Sequence, residues 1–385
     1  MQKTRVMFVV FQLVAAGSER VVLDLARSLN PDQFEIYVTT FNGGVLEAPL
    51  REVCKDIFFV QKRKRLDLSV MLQIAKIVRD HDIDVVNAHH YMPCFYSFLG
   101  TRILNRVKLI YTEHSVPEVE KIASSIHGKM FFWMLFQMNA VIGVSGEITE
   151  KFKKHYPRHT EKFIEILNGV DIEKFRAKGV REDVRNRWGL SKDHFVVGMV
   201  ANFRKVKNHV CLVRAAARLK DSHPQLRLLF VGTGFPGDPE NSKDLVRKFI
   251  HDLGLQGKVI LAGYQENIPE MLSAFDVFCL PSFSEGLPVS VLEAMAAGVP
   301  VIGSRVRGIN EVVKDMETGL LFSADDDADL AKTLKKIHNS ESLAKSLADR
   351  AHDYVSEKHS NKVWLKKVSE IFRVPSETDS TLSDF

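Results

Sequence analysis

Short, unbroken apolar runs recur along the chain, each closed by a polar or glycine-bearing turn. Runs at 6–10, 34–40, 57–60, 84–87, 107–111, 140–145 and 163–167 predict strands in the first half. Runs at 195–200, 226–231, 259–263, 277–280, 301–302 and 318–322 predict strands in the second. Unbroken runs, unlike alternating ones, mark strands covered on both faces, as in parallel sheets. Helices are predicted at 20–29, 121–138, 289–297, 328–339, 341–353 and 360–372. Strands alternate with helices twice over, without an internal repeat. The expectation is an α/β chain of two Rossmann-like domains facing each other across a cleft. The first spans 1–170 and the second 171–355, with the polar, charged stretch 172–193 read as a linker.

Composition changes this picture little. A chain of 385 residues suits two domains, and 45% apolar with 26% charged residues is ordinary for a globular protein. The net charge of +5 is mild, no basic–aromatic module is apparent, and no nucleic-acid partner is expected. Cys54, Cys94, Cys211 and Cys279 are scattered, which fits reduced thiols in a cytoplasmic protein. No apolar run reaches transmembrane length. Residues 6–16 superficially look like a signal peptide but read better as a strand feeding a loop and a helix.

The candidate chemistry centres on residues 277–302. The strand Val277-Phe278-Cys279-Leu280 runs into a polar loop holding Glu285, Gly286 and Leu287. Pro288 suits a first helical position, because its missing N–H would have no partner there. Gly298 and Pro300 end the helix. Such a loop lies at the carboxyl end of a parallel strand, where ligands bind, and the helix's unpaired amides favour an anion. Glu293 is the one charge in an otherwise small or apolar helix. It reads either as a partner in an internal salt bridge or as an acceptor for ligand hydroxyls, a ribose diol being well matched. Two glutamates eight positions apart, the first followed by Gly-Leu-Pro, resemble the signature of the retaining family 4 (GT4) glycosyltransferases of GT-B fold. That resemblance implies that Glu293 holds the ribose of a nucleotide sugar and that Glu285 approaches the donor sugar. It also implies that backbone at Gly286, Leu287 and Pro288 contacts sugar and phosphate.

The resemblance runs from about residue 5 to 370. Ala16-Gly17-Ser18-Glu19 is similar to the family's Gly-Gly-x-Glu turn, with Ala16 in place of the first glycine, and places Gly17 beside the donor phosphates. Thr112-Glu113-His114-Ser115 resembles the segment whose histidine lies by the donor sugar and acceptor, which lifts His114 into the site. The adjacent His89 and His90 are expected on opposite faces of a strand end, so that they do not share a metal ion; one of them reaches the cleft. Asn168-Gly169-Val170-Asp171 resembles the family's crossing between domains. In the stretch 201–209, Lys207 matches the family lysine that clamps the donor diphosphate. Asn202 stands where the family has arginine, and Arg204 is the candidate replacement. Gly232-Thr233-Gly234-Phe235-Pro236-Gly237 has the spacing of a dinucleotide fingerprint, but its proline breaks the helix that motif needs. Tyr264 opens the segment that holds the base in the family. The family also implies that a helix over 356–373 packs back on the first domain; 374–385 is expected to be a disordered tail.

The run Gln61-Lys62-Arg63-Lys64-Arg65 is either solvated surface or a patch facing anionic headgroups. The aromatic stretch 129–136 is read mainly as core packing, with membrane contact as the alternative. The expected activity is retaining transfer of a sugar from a nucleotide sugar, such as a UDP- or GDP-sugar, to a hydroxyl of a glycan or lipid-linked acceptor. The setting would be polysaccharide or glycolipid synthesis at the inner face of the cell membrane. The catalytic candidates are His114, Glu285 and Lys207, with no metal and no cofactor beyond the donor. The alternatives are a non-catalytic nucleotide-sugar-binding subunit and a nicotinamide oxidoreductase using 232–237.

Overall fold

The computed structural model describes residues 3–64, 66–103, 107–116, 119–120, 126–157, 159–176, 179–235 and 238–374. The chain forms two compact units, one of Met1–Asn168 with the chain from Lys362 on, the other of Gly169–Asn361.

The first unit is built on seven parallel strands: β1 Thr4–Gln12, β2 Phe34–Asn42, β3 Asp56–Phe59, β4 Val85–His89, β5 Lys108–Glu113, β6 Ala140–Gly143 and β7 Phe163–Glu165. Their order is β3-β2-β1-β4-β5-β6-β7, with Val6 facing Ile36 on one side and Val85 on the other. Val6, Met7, Phe8 and Val9 have no exposed surface, which is why the centre of β1, Val6 to Val10, is apolar at every position.

The second unit has six parallel strands: β8 Phe195–Val200, β9 Leu226–Val231, β10 Val259–Gly263, β11 Val277–Leu280, β12 Val301–Ser304 and β13 Leu320–Phe322, in the order β10-β9-β8-β11-β12-β13. In both sheets the order of strands reverses near the centre, between β1 and β4 and between β8 and β11. At such a reversal the loops leaving neighbouring strands part, and the crevice outside their carboxyl ends takes ligands.

Three sequence expectations need correction. The stretch 172–193 is not a free linker but part of the second unit. The helix Arg181–Arg187 docks there because Arg181 donates to Ser273 O and Phe275 O at 2.7 and 2.8 Å, and Arg185 reaches Asp276 Oδ2 at 2.7 Å. Asp276 Oδ2 also accepts from the backbone of Val196, so one carboxylate ties this helix to the entries of β8 and β11. The helix predicted at 341–353 runs unbroken over Glu341–Lys358. The aromatic helix spans Ile126–Phe136, with 121–125 outside the described residues.

The helix Asn361–Phe372 buries Phe372 against Phe8 and Phe34, at ring distances of 5.9 and 6.4 Å. It belongs to the first unit. The return is fixed at the end of the second, where Val170 N donates to His359 O at 2.8 Å and Asn361 N donates to Val170 O at 3.0 Å. The expected tail lies outside the described residues from 375 on.

Candidate active site

In the second unit the exit loops of β8 and β11 are stitched together. Phe283 N donates to Val206 O at 2.8 Å. Beside that link, Lys207 Nζ bonds both carboxylate oxygens of Glu285, at 2.7 and 2.8 Å. Lys207 closes a short 3-10 turn, Lys205–Lys207, and the chain then reverses through Asn208 at φ 50°. Asparagine tolerates that left-handed backbone. Here its side chain also caps the next helix, accepting from Cys211 N at 3.3 Å while donating to Asp325 at 3.0 Å.

Glu285 is held from behind as well. Ser282, fully buried, donates to Glu285 Oε1 at 2.6 Å, and the Ser304 hydroxyl at the end of β12 donates to Ser282 O. The loop lies flat on the helix Arg307–Asn310 because residue 308 is glycine. A Cβ there would meet the carbonyls of Glu285 and Gly286 at 2.3 and 2.4 Å. Sequence reasoning missed Ser282, Ser304 and Gly308. Ser282 sits three positions before Glu285, a spacing that was visible; the approach of Gly308 to Glu285 was not.

Leu287 and Pro288 are buried, and the helix Val289–Ala296 starts directly after them. Glu293 lies in its second turn and is buried at 6% exposure. Helical side chains lean toward the helix start, so its carboxylate is directed back toward the loop. Asn202 accepts from Thr233 N at 3.3 Å, bridging the exits of β8 and β9. Arg204 lies 3.6 Å from Asp238, half exposed, and thus shares its charge with a carboxylate of the β9 exit. Tyr264 follows β10 and is half buried. Every residue expected at the donor, Gly17 apart, therefore lies on the carboxyl edge of this sheet or on the helix that leaves it. Among the described residues no helix starts after β9 until Lys243, whereas a dinucleotide fingerprint opens one at once; Pro236 and Gly237 lie outside the described residues.

In the first unit, Gly17 opens the helix Gly17–Ser28 at the exit of β1 and is exposed, with nothing within 4 Å of the place a Cβ would take. At the exits of β4 and β5 the structure gathers three imidazoles. His89 Nδ1 lies 2.8 Å from His114 Nε2, and His90 Nδ1 lies 3.2 Å from Glu113 Oε1. The ring of His114 is 5.0 Å from that of His89 and 5.2 Å from that of His90. This corrects the expectation of opposite faces. His90 has φ 67°, outside strand geometry, and the backbone swings its ring to the same side. Glu113 is fully buried and anchors the cluster: Oε1 accepts from the backbone N of His114 and of Ser115, both at 2.8 Å, and Oε2 accepts from Tyr111 Oη. Burial pushes His89 down to about 3 and His114 well below the usual histidine value, so both are neutral at physiological pH. Among the described residues no group of three or more histidine, cysteine or acidic side chains is placed to hold a metal ion.

On the helix Ile126–Phe136, Phe131 and Leu135 are fully buried, whereas Met130 and Trp133 are exposed; the side chain of Phe132 lies outside the described residues. The stretch is mainly core. Next to the basic run, Leu66, Leu68 and Leu72 are 61%, 55% and 57% exposed. Asp67 between them turns inward, accepting from Arg63 N at 2.8 Å and from Ser69 Oγ at 2.7 Å, while its N donates to Tyr96 Oη at 3.1 Å. Arg65 lies outside the described residues, and among those residues no helix is long and apolar enough to cross a membrane.

Residues 180–354 match the family model for glycosyl transferases group 1, and residues 15–174 match that for glycosyltransferase family 4. The chain is 26% identical over 352 residues to the N-acetyl-alpha-D-glucosaminyl L-malate synthase of Bacillus anthracis, covering 89% of each protein. It is also 26% identical over 338 residues to an Escherichia coli UDP-Gal:alpha-D-GlcNAc-diphosphoundecaprenol alpha-1,3-galactosyltransferase, covering 84% of this chain and 85% of that one. Among solved structures, Anabaena HepE in complex with UDP and glucose superposes with a TM-score of 0.84 at 21% identity, over 98% of this chain and 100% of that one. That likeness shows the fold, GT-B.

Proposed function

The chain belongs to the group 1, family 4 glycosyltransferases, and from that premise we propose that its second unit holds a nucleotide sugar whose sugar passes, with retention, to a hydroxyl of a lipid-linked or glycan acceptor. The observation that carries the reading is Lys207 gripping Glu285 on the edge where the helix Val289–Ala296 begins. Glu293 accepts the ribose hydroxyls. Lys207 and the amides about Gly286, Leu287 and the helix start meet the diphosphate. Glu285 faces the sugar and is braced by Ser282, while Tyr264 borders the base. Arg204 joins Lys207 only by leaving Asp238. The family resemblance assigns Gly17 to the donor phosphates and His114 to the reacting sugar.

Charge grows on the diphosphate as the sugar departs, and a fixed cation with oriented amides stabilises that charge. The departing phosphate accepts the acceptor's proton on the same face, so no enzymatic nucleophile and no divalent metal are required. Family 4 relatives that act on diphosphoundecaprenol-linked sugars support a lipid-linked acceptor. The leucines at 66, 68 and 72 beside Lys62, Arg63 and Lys64 support contact with an anionic membrane, where each nearby cation contributes about 1 kcal/mol. Such contact would place the enzyme at the cytoplasmic face of the cell membrane.

A thermal-shift panel of UDP- and GDP-sugars, followed by transfer assays in EDTA with diphosphoundecaprenol-linked acceptors, tests the reading. One donor is expected to stabilise the protein and to yield a product of unchanged anomeric configuration. Stabilisation by no nucleotide sugar, or turnover that returns only with added manganese, would contradict it. Co-sedimentation with anionic but not neutral vesicles, lost in a triple serine variant of Leu66, Leu68 and Leu72, is expected for the membrane contact. Equal recovery with both kinds of vesicle would refute that contact.

A further inference from the structure

The proposed transfer uses His114 and leaves its buried neighbour unexplained. His89 ends β4 at 1% exposure, with Phe8 packed edge-on at 5.9 Å. Its Nδ1 faces His114 Nε2 at 2.8 Å, and its Nε2 is buried with no hydrogen-bond partner among the described residues. Both imidazoles are neutral, as their depressed pKa values show. A neutral imidazole carries one N–H and one bare nitrogen. One proton therefore sits in the 2.8 Å contact, and the question is which ring supplies it.

If His114 supplied it, the proton of His89 would sit on Nε2, a buried N–H with no acceptor. Orphaned buried donors are rare and costly. If His89 supplies it from Nδ1, only a bare lone pair is left without a partner. His114 then accepts at Nε2 and carries its own proton on Nδ1. That nitrogen has no partner among the described residues, and His114, unlike His89, keeps part of its surface accessible. His90 does not compete for the contact, because its Nδ1 faces Glu113. The backbone of His114 is fixed separately by Glu113.

We propose that His89 is a positioning residue that locks His114 in the Nδ1–H tautomer, so that His114 meets a sugar or acceptor oxygen as a neutral hydrogen-bond donor and not as a general base. The catalytic part of this rests on the role proposed for His114 above; the tautomer does not. It also leaves the departing phosphate as the group that takes the acceptor's proton.

The test is nitrogen-15 NMR of histidine-labelled full-length protein near neutral pH, with His114→Asn used to assign the signals. His114 is expected to show a protonated Nδ1 and a bare Nε2. His89→Leu should release Nε2 and give the other tautomer or a mixture. His89→Asn places an amide N–H where His89 Nδ1 stands and should restore the wild-type signature. His89→Gln moves that amide to the Nε2 position and serves as the loss variant if the leucine protein does not fold. With the donor found in the panel above, the loss variant should lower kcat by about 10–100-fold at nearly constant KM for the donor, and His89→Asn should recover most of it. A protonated Nε2 on wild-type His114, or a signature unchanged by the loss variant, would overturn the proposal. The spectra need no substrate, so failure of the donor panel would not mimic this result.

Discussion

At the level of single residues, the site combines groups whose roles follow from spacing with groups whose roles follow only from contact. Glu293 stands out in the sequence as the one charge in a small or apolar helix, and Glu285 and Lys207 as charges in the polar turns that follow strands. Ser282 and Gly308 do not, because what matters about them is which backbone they touch. Gly308 makes the sharper case. A methyl group added there would sit 2.3 Å from the Glu285 carbonyl, well inside any real contact. The carbonyls are backbone and cannot rotate away, so the loop must lift and carry Glu285 from Lys207. Gly308→Ala is expected to lower turnover by at least about tenfold, since displacement by about 1 Å can cost a hundredfold, while the melting temperature moves little. Steady-state turnover beside a thermal melt checks it. Unchanged turnover would mean that the flat packing of this loop is irrelevant to transfer.

At the level of elements, the strands were the most legible part, because most centre on a short apolar run that the sheet buries. The helix Lys243–Asp252 escaped the reading because only Val246 and Ile250 mark its buried face among polar residues. The helix Arg181–Arg187 was taken for linker because its docking is made by arginine and aspartate. The last helix was foreseen, and its anchor is now specific. Phe372 has no exposed surface and lies against Phe8 of β1 and Phe34 of β2. Phe372→Ala leaves a cavity under the centre of the first sheet and should cost about 3–5 kcal/mol. Urea unfolding followed by a probe in each unit should show the loss in the first unit only. A loss shared equally by both units, or none, would show that the helix does not serve the first unit's core.

For the whole molecule, burial keeps histidines neutral in both units, His89 and His114 in the first and His209 in the second, with His89 and His209 pushed down to about 3 from 6.5. His209 stacks on Phe203 at 4.4 Å and meets Phe230 edge-on. The unfolded chain binds these protons at higher pH than the folded one, so their contribution is complete above about 6.5 and is lost as pH falls toward 3. Each group contributes a slope of at most about 1.4 kcal/mol per pH unit. Both units should therefore weaken together on acidification, and His209→Phe should flatten the response of the second alone; an unaltered response in that variant would contradict this. In the proposed function one sheet edge divides donor binding between two glutamates and a lysine, and isothermal calorimetry with UDP and GDP, run beside turnover of the sugar donor, measures that division. Glu293→Gln should weaken nucleotide binding by about 1–2 kcal/mol, through loss of charge-assisted hydrogen bonds to the ribose. Lys207→Ala should weaken both binding and turnover. Glu285→Ala should abolish most turnover yet leave nucleotide affinity equal or higher, because it frees Lys207 from its carboxylate partner. Loss of nucleotide binding in Glu285→Ala with none in Glu293→Gln would reverse the two roles and contradict the assignment.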